Sequence, residues 1–174
     1  MNRRIAKFEK VSYDQWVADM DSNGLAVCME ESQLRDVYNA IELPTRATKG
    51  SAGYDFKAPI GFTLYPGESI IIPTGIRALI DQEWCLICIP KSGLGFKYRI
   101  QLDNTVGLID MDYYFSDNEG HIMAKITNDT HDNKTMTITR GNGFFQGVFL
   151  PFGITTDDEA DGVRNGGFGS TEKR

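Results

Sequence analysis

The sequence predicts a mainly β fold: a sandwich or barrel of largely antiparallel strands, preceded by a short helical segment. Two observations carry that expectation. After Pro44 the chain breaks into short apolar or alternating runs punctuated by glycine and proline, the spacing of closed or stacked antiparallel sheets. No long crossover helix separates those runs, so a doubly wound nucleotide-binding sheet is disfavoured.

The elements follow in order. Residues 3–11 alternate well enough for an opening strand, with Ile5 near its start. Ser12 reads as a helix N-cap with Gln15 at the capping-box position. Tyr13, Trp16, Val17 and Met20 continue at helical spacing, and Gly24 ends that helix. A second helix is expected over 29–41, with Leu34, Val37, Tyr38 and Ile41 on one face, closed by Pro44. Both stripes read as packing surfaces. Strands are expected at 54–58, 62–64, 69–73, 76–80, 84–89, 99–102, 121–127, 135–139 and 144–151. Residues 155–174, acidic and then glycine-rich, read as a flexible arm ordered by a ligand, or as a frayed tail.

The 174 residues suit a single domain with a sizeable core, and the apolar fraction of 41% and charged fraction of 24% suit a globular chain. The formal charge is −6, and no basic stripe interleaved with aromatics occurs. A nucleic-acid groove is therefore not expected. Polar residues follow Met1, without the apolar stretch of a signal peptide, and no run is long enough to span a bilayer. A cytoplasmic location is the default, with no membrane partner.

Cys85 and Cys88 form a C-x-x-C within a buried strand, where side chains three apart face opposite ways, so a zinc site is not expected. The chain has two histidines. His121 and His131 are too far apart for a short helical metal motif, and each reads as a surface or strand residue. No Ser-His-Asp or Cys-His arrangement stands out, which favours direct attack by water over a covalent intermediate.

Several stretches suit an anion. Thr48-Lys49-Gly50-Ser51-Ala52-Gly53 combines small residues with a lysine. Pro90-Lys91-Ser92-Gly93-Leu94-Gly95 follows a buried strand and offers charge, a hydroxyl and glycine-permitted amides, a composition suited to a phosphate nest. Gly141-Asn142-Gly143 and Gly167 to Thr171 are further candidates. None is a Walker motif, and an ordinary turn has the same composition. Acidic chemistry centres on Gly107-Leu108-Ile109-Asp110-Met111-Asp112-Tyr113. Asp110 and Asp112 share a face if this piece is extended, and Asp110 follows an apolar run, where a carboxylate is placed to orient water or act as a base. A plain turn carboxylate is the alternative.

Taken together, in order and at their separations, a set of segments between Leu43 and Thr171 resembles the trimeric dUTPase family. They are Ala52-Gly53-Tyr54-Asp55, Pro90 to Gly95, Asn104 to Tyr113, Gly141 to Pro151 with Gln146, and Arg164-Asn165-Gly166-Gly167-Phe168-Gly169-Ser170-Thr171. The resemblance implies a distorted jelly-roll or β-clip barrel. It also implies a homotrimer with shared active sites, an arm that closes over a site, and hydrolysis of dUTP to dUMP and pyrophosphate with Mg2+.

Roles carry over residue by residue. Asp110 matches the carboxylate that activates the attacking water. Tyr113 matches the aromatic that packs on deoxyribose and excludes a 2′-hydroxyl. Asn104, with backbone groups of the 99–110 hairpin including Gly107, matches the reader of the uracil edge. Ser92, with Gly93 beside it, matches a phosphate-contacting group near the cleaved bond, and Lys91 and Gln146 match ligands of the phosphate chain. Asp55 matches the aspartate that supports the magnesium hydration shell through water. In the arm, Arg164, Ser170 and Thr171 match holders of the terminal phosphates, while Phe168, followed by Gly169, matches the aromatic that stacks over uracil.

The chain departs from the family pattern in four places. Lys91 replaces the usual arginine and lacks its bidentate fork. Asn142-Gly143 stands where the family has Asp-Arg, so a structural ion pair is expected to be missing. Residues 114–120 lengthen a short turn, and 12–41 is an added helical segment. Two other readings stay open. One is a dCTP deaminase-like enzyme of similar fold. The other is a non-enzymatic regulator that binds a protein partner such as a repressor through the inserts.

Overall fold

The computed structural model describes residues 3–166. Strands β1 (Ala6–Lys10), β2 (Thr45–Arg46), β3 (Tyr54–Lys57), β4 (Phe62–Leu64) and β5 (Ser69–Ile80) come first. They are followed by β6 (Trp84–Pro90), β7 (Ile100–Leu102), β8 (Gly107–Ile109), β9 (Ile122–Asn128), β10 (Met136–Ile138) and β11 (Gly143–Pro151). Among the described residues they form a four-stranded sheet in the order β1-β5-β9-β7, a five-stranded sheet in the order β2-β3-β11-β6-β8, and the pair β10-β4. Every ladder is antiparallel, so the expected mainly β class holds.

Two bulges shape the core. The strands expected at 69–73 and 76–80 are one strand, β5, whose register against β9 shifts between Pro73 and Ile76. Proline has no N–H to give the ladder. Thr74 fills the break: its Oγ1 donates to the Ile122 carbonyl at 2.6 Å and accepts from the Ile76 N–H at 3.1 Å. In β11 a shift between Gly143 and Phe145 breaks the alternation of faces. Phe144 and Phe145 are consequently both buried, and Phe145 stacks on Phe56 with ring centroids 4.4 Å apart.

The helical segment forms as the sequence predicts, with trimmed ends: α1 (Tyr13–Ser22) and α2 (Glu31–Asn39). Ser12 caps α1 by accepting the Gln15 N–H at 3.1 Å. α2 begins later than the expected 29 because Glu30 and Gln33 form its capping box. Trp16 and Met20 are fully buried and join one core with the strands; burying a side chain such as Met20 contributes about 1.5–3 kcal/mol. Gly75, at φ +75° in the β5 bulge, makes this docking feasible. A Cβ there would lie 2.5 Å from Ile41 Cδ1 and 3.3 Å from Trp16 Cδ1.

The helical segment and the 114–120 turn hold each other. Glu119, in the lengthened turn, accepts the Ser12 N–H at 2.7 Å and the Ser12 hydroxyl at 2.6 Å. Tyr114 donates to Glu9 of β1 at 2.6 Å. The turn thus fastens the start of α1 to the four-stranded sheet.

Other local expectations are corrected. The glycine-rich stretch after β6 is not a loop but a third helix, α3 (Ser92–Tyr98), ended by Arg99 at φ +49°. Residues 99–110 are not a hydrogen-bonded hairpin: β7 pairs with β9 and β8 pairs with β6, so the intervening turn crosses between sheets. Met111–Phe115 is a 3₁₀ turn with Asp110 at its N-cap, so Asp110 and Asp112 do not lie on one strand face. No helix among the described residues is long and apolar enough to cross a membrane.

Candidate functional site

The crossing between sheets creates a cavity of about 590 Å³ whose lining includes Asn104, Gly107, Tyr113 and Arg164. The turn is tight: the Thr105 N–H donates to Leu102 and the Val106 N–H to Asn104, both at 2.7 Å. Thr105 takes φ +66° to allow this, a cost that recurs at functional sites. Gly107 is buried opposite Cys88 in the β6–β8 ladder. Cys88 also lines the cavity, and burial pushes its thiol up to about 12. It therefore stays protonated at neutral pH and is a poor nucleophile.

Tyr113 is buried by the 3₁₀ turn that follows β8. Its hydroxyl donates to the His121 carbonyl at 2.8 Å and accepts from Asn118 Nδ2 at 2.9 Å. Burial raises the phenol above its ordinary value, outweighing the Asn118 hydrogen bond. The ring is thus a neutral, fixed wall. Asp110 stands beside it, half-buried. Arg164 donates through Nη2 to Asp110 Oδ2 and through Nε to Asp112 Oδ1 at 2.9 Å, and its guanidinium lies 5.8 Å from the centre of the Tyr113 ring. The arginine expected on phosphates thus rests on carboxylates within its own chain.

A second cluster forms where β3, β11 and β6 run side by side. Asp55 and Gln146 are cross-strand partners. Lys91 Nζ donates to Asp55 Oδ2 at 2.7 Å, and Gln146 Nε2 donates to the Pro90 carbonyl at 3.3 Å. Ser92 and Gly93 open α3 immediately afterwards, both exposed. Asp55, Lys91, Ser92, Gly93 and Gln146 do not line the cavity, and neither does Asp110, which is tied to it through Arg164. One chain therefore holds these sequence-predicted residues as two separate groups. Phe168, Gly169, Ser170 and Thr171 lie outside the described residues.

The expected loss of an ion pair at Asn142-Gly143 takes a particular form. A Cβ at position 143 would lie 2.9 Å from Lys91 Nζ and 3.4 Å from Asp55 Cβ. Gly143 makes room for the Lys91–Asp55 pair, so the departures at 91 and 143 are structurally linked. Gly143→Arg should bring a second cation against Lys91 and displace it from Asp55. A part-exposed pair is worth about 0.2–1 kcal/mol, so thermal stability should change little. Thermal denaturation of the variant beside wild type measures this.

Sequence reasoning missed two residues. Asn23, at the end of α1, lines the cavity. Gly24 marked that helix end, but nothing local tied it to β9. His121, read as a surface or strand residue, is fully buried. Its partners come from α1 and the β5 bulge, which only long-range packing brings near.

No group of three or more His, Cys, Asp and Glu side chains among the described residues is arranged to hold a metal ion. Asp55, the residue that the resemblance assigns to magnesium, is a single part-exposed carboxylate paired with Lys91.

A mainly β chain with a cavity lined in part by a fixed tyrosine, and a carboxylate tied to that lining through Arg164, has the form of a small-ligand site. Its family is the dUTPase family, whose model matches residues 39–172: the chain belongs to that family of nucleotide hydrolases. The deoxyuridine 5′-triphosphate nucleotidohydrolase of Lactococcus lactis subsp. lactis is 40% identical over 134 residues, covering 75% of this chain and 88% of the relative. That of Haemophilus ducreyi is 42% identical over 140 residues, covering 76% and 88%. The crystal structure of dUTPase from Streptococcus mutans matches with a TM-score of 0.58 at 37% identity, over 65% of this chain and 88% of that one. The family match begins at residue 39, so α1 and nearly all of α2 precede it.

Proposed function

We propose that this protein hydrolyses dUTP to dUMP and pyrophosphate as a homotrimer with shared sites, its sheets closing as a distorted jelly roll. The observation that carries the reading is the half-buried Asp110 carboxylate, held by Arg164, which with Tyr113 and residues of the tight 102–107 turn lines the cavity. The uracil edge meets Asn104 and backbone groups near Gly107. A base with the wrong donors and acceptors leaves buried groups unpaired, at about 1–3 kcal/mol each. Deoxyribose packs on Tyr113, which leaves no room for a 2′-hydroxyl.

Asp110 accepts a proton from one water and aligns it with the α-phosphorus. The new P–O bond forms as the bond to the bridging oxygen breaks, and pyrophosphate leaves with that oxygen. Arg164 exchanges the carboxylates for the phosphate chain as the arm closes. Lys91, Ser92 and Gln146 hold the remaining phosphate oxygens, so the gain comes from positioning and charge stabilisation. Asp55 would hold magnesium through its waters, and the metal would supply charge compensation for the triphosphate.

The outer face of the five-stranded sheet supports self-association. Val148, Ile87 and Leu108 form one cross-strand row. They are partly or largely exposed, and Leu150 beside them is 46% exposed. A contiguous apolar strip of this kind marks an interaction surface. The separation of the cavity from the Lys91 cluster agrees with a site completed by another copy. Pyrophosphate release with magnesium, compared for dUTP, dCTP, dTTP and UTP, tests the reading. Selective release from dUTP is expected. Release absent from a folded trimer would overturn it, and ammonia from dCTP would indicate a deaminase.

A further inference from the structure

The segment that precedes the family match is wired into the cavity. Asp19, on the inner side of α1, lies 2.5 Å from His121 Nδ1, and His121 is wholly buried. The Gly75 N–H donates to His121 Nε2 at 2.7 Å. Nε2 is thus an acceptor without a proton, so the neutral ring carries its proton on Nδ1 and gives it to Asp19. Gln15 Nε2 donates to the same Asp19 oxygen at 2.9 Å and fixes the carboxylate from its own helix. The imidazole is therefore held on both edges, by α1 and by the β5 bulge. The backbone carbonyl of this clamped residue receives the Tyr113 hydroxyl at 2.8 Å. The same helix ends at Asn23, whose amide donates to the Asp19 carbonyl at 2.7 Å and which lines the cavity.

We propose that Asp19 and His121 are positioning residues for Tyr113, so that the N-terminal helix α1 sets how strictly the cavity excludes a 2′-hydroxyl. The assignment rests on the proposed dUTP hydrolysis and on Tyr113 facing the sugar. The physical link is short. Tyr113 can exclude a ribose only if its ring cannot retreat. The ring is anchored through its hydroxyl, and one of its two partners is the carbonyl of the residue whose side chain α1 clamps. Loss of the Asp19 acceptor leaves the buried Nδ1–H unpaired. The imidazole then moves or admits water, and the carbonyl shifts with it.

The test is the ratio of kcat/KM for dUTP to that for UTP, measured with thermal stability and oligomeric state in wild type, Asp19→Ala and Asp19→Asn. Asp19→Ala should lose roughly tenfold of the preference for dUTP, the scale of unpairing one buried polar group. Asp19→Asn keeps an oxygen to accept the Nδ1–H and should restore most of the preference. If the alanine variant fails to fold, Asp19→Glu keeps the charge but displaces the imidazole by a methylene, and it should lower the same ratio. A folded Asp19→Ala or Asp19→Glu trimer with lowered stability but wild-type selectivity would overturn the assignment and leave α1 a packing element. Wild type without dUTP turnover would overturn the proposed function and this assignment together, which separates the two failures.

Discussion

Asp110→Asn is expected to leave the protein folded and associated while lowering dUTP turnover by about 10²–10⁴-fold, the range that a positioned general base supplies. The substitution is nearly isosteric and removes only the charge and the second acceptor. The fold should tolerate it because Asp110 is half-buried and its ion pair with Arg164 is shared with the exposed Asp112. Part-exposed pairs of this kind contribute little to stability. KM should fall or hold steady, since one negative charge beside the triphosphate has gone. Single-turnover measurements separate the chemical step from binding. A purified variant with near-wild-type turnover would mean that the water is activated elsewhere and would remove Asp110 from the mechanism.

Val148→Asp should have the second-largest effect, and through a different route. Val148 points away from the core, on the outer face that it shares with Ile87 and Leu108. The variant should therefore fold as a single chain. Burying an unpaired carboxylate between copies is costly, so the proposed trimer should dissociate. Turnover should then fall by about 10²-fold or more, because small misplacement of the phosphate groups already costs that much. Lys91, Ser92 and Gln146 do not line the cavity of their own chain, so under the proposed shared-site reading a lone chain lacks a complete site. Light scattering with a pyrophosphate assay reads both outcomes. A fully active monomer would mean that one chain supplies every group.

The sequence by itself determined the elements that rest on local rules. Ser12 and Gln15 marked a helix start because a cap satisfies backbone donors within a few residues. Alternation and turn residues located most of the strands, whereas the roles expected of Asp55, Lys91, Asp110, Gln146 and Arg164 rest on the family resemblance and not on a local rule. Tertiary structure decided what depends on distant partners. Pro73 and Ile76 belong to one strand because Ile122 and Thr74 bridge the break. α3 has no buried residue and so carried no apolar stripe to read. Phe144 and Phe145 both point inward because a bulge cancels the period of two. Gly143 reads in sequence as a lost ion pair, whereas in the fold Lys91 fills the space beside it. His121 and Asp19 are 102 residues apart in the chain yet share one hydrogen bond. Local propensity extends over about one turn or one strand, whereas a buried pair of that separation is chosen only when two faces are packed together, and its partners cannot be read from either segment alone.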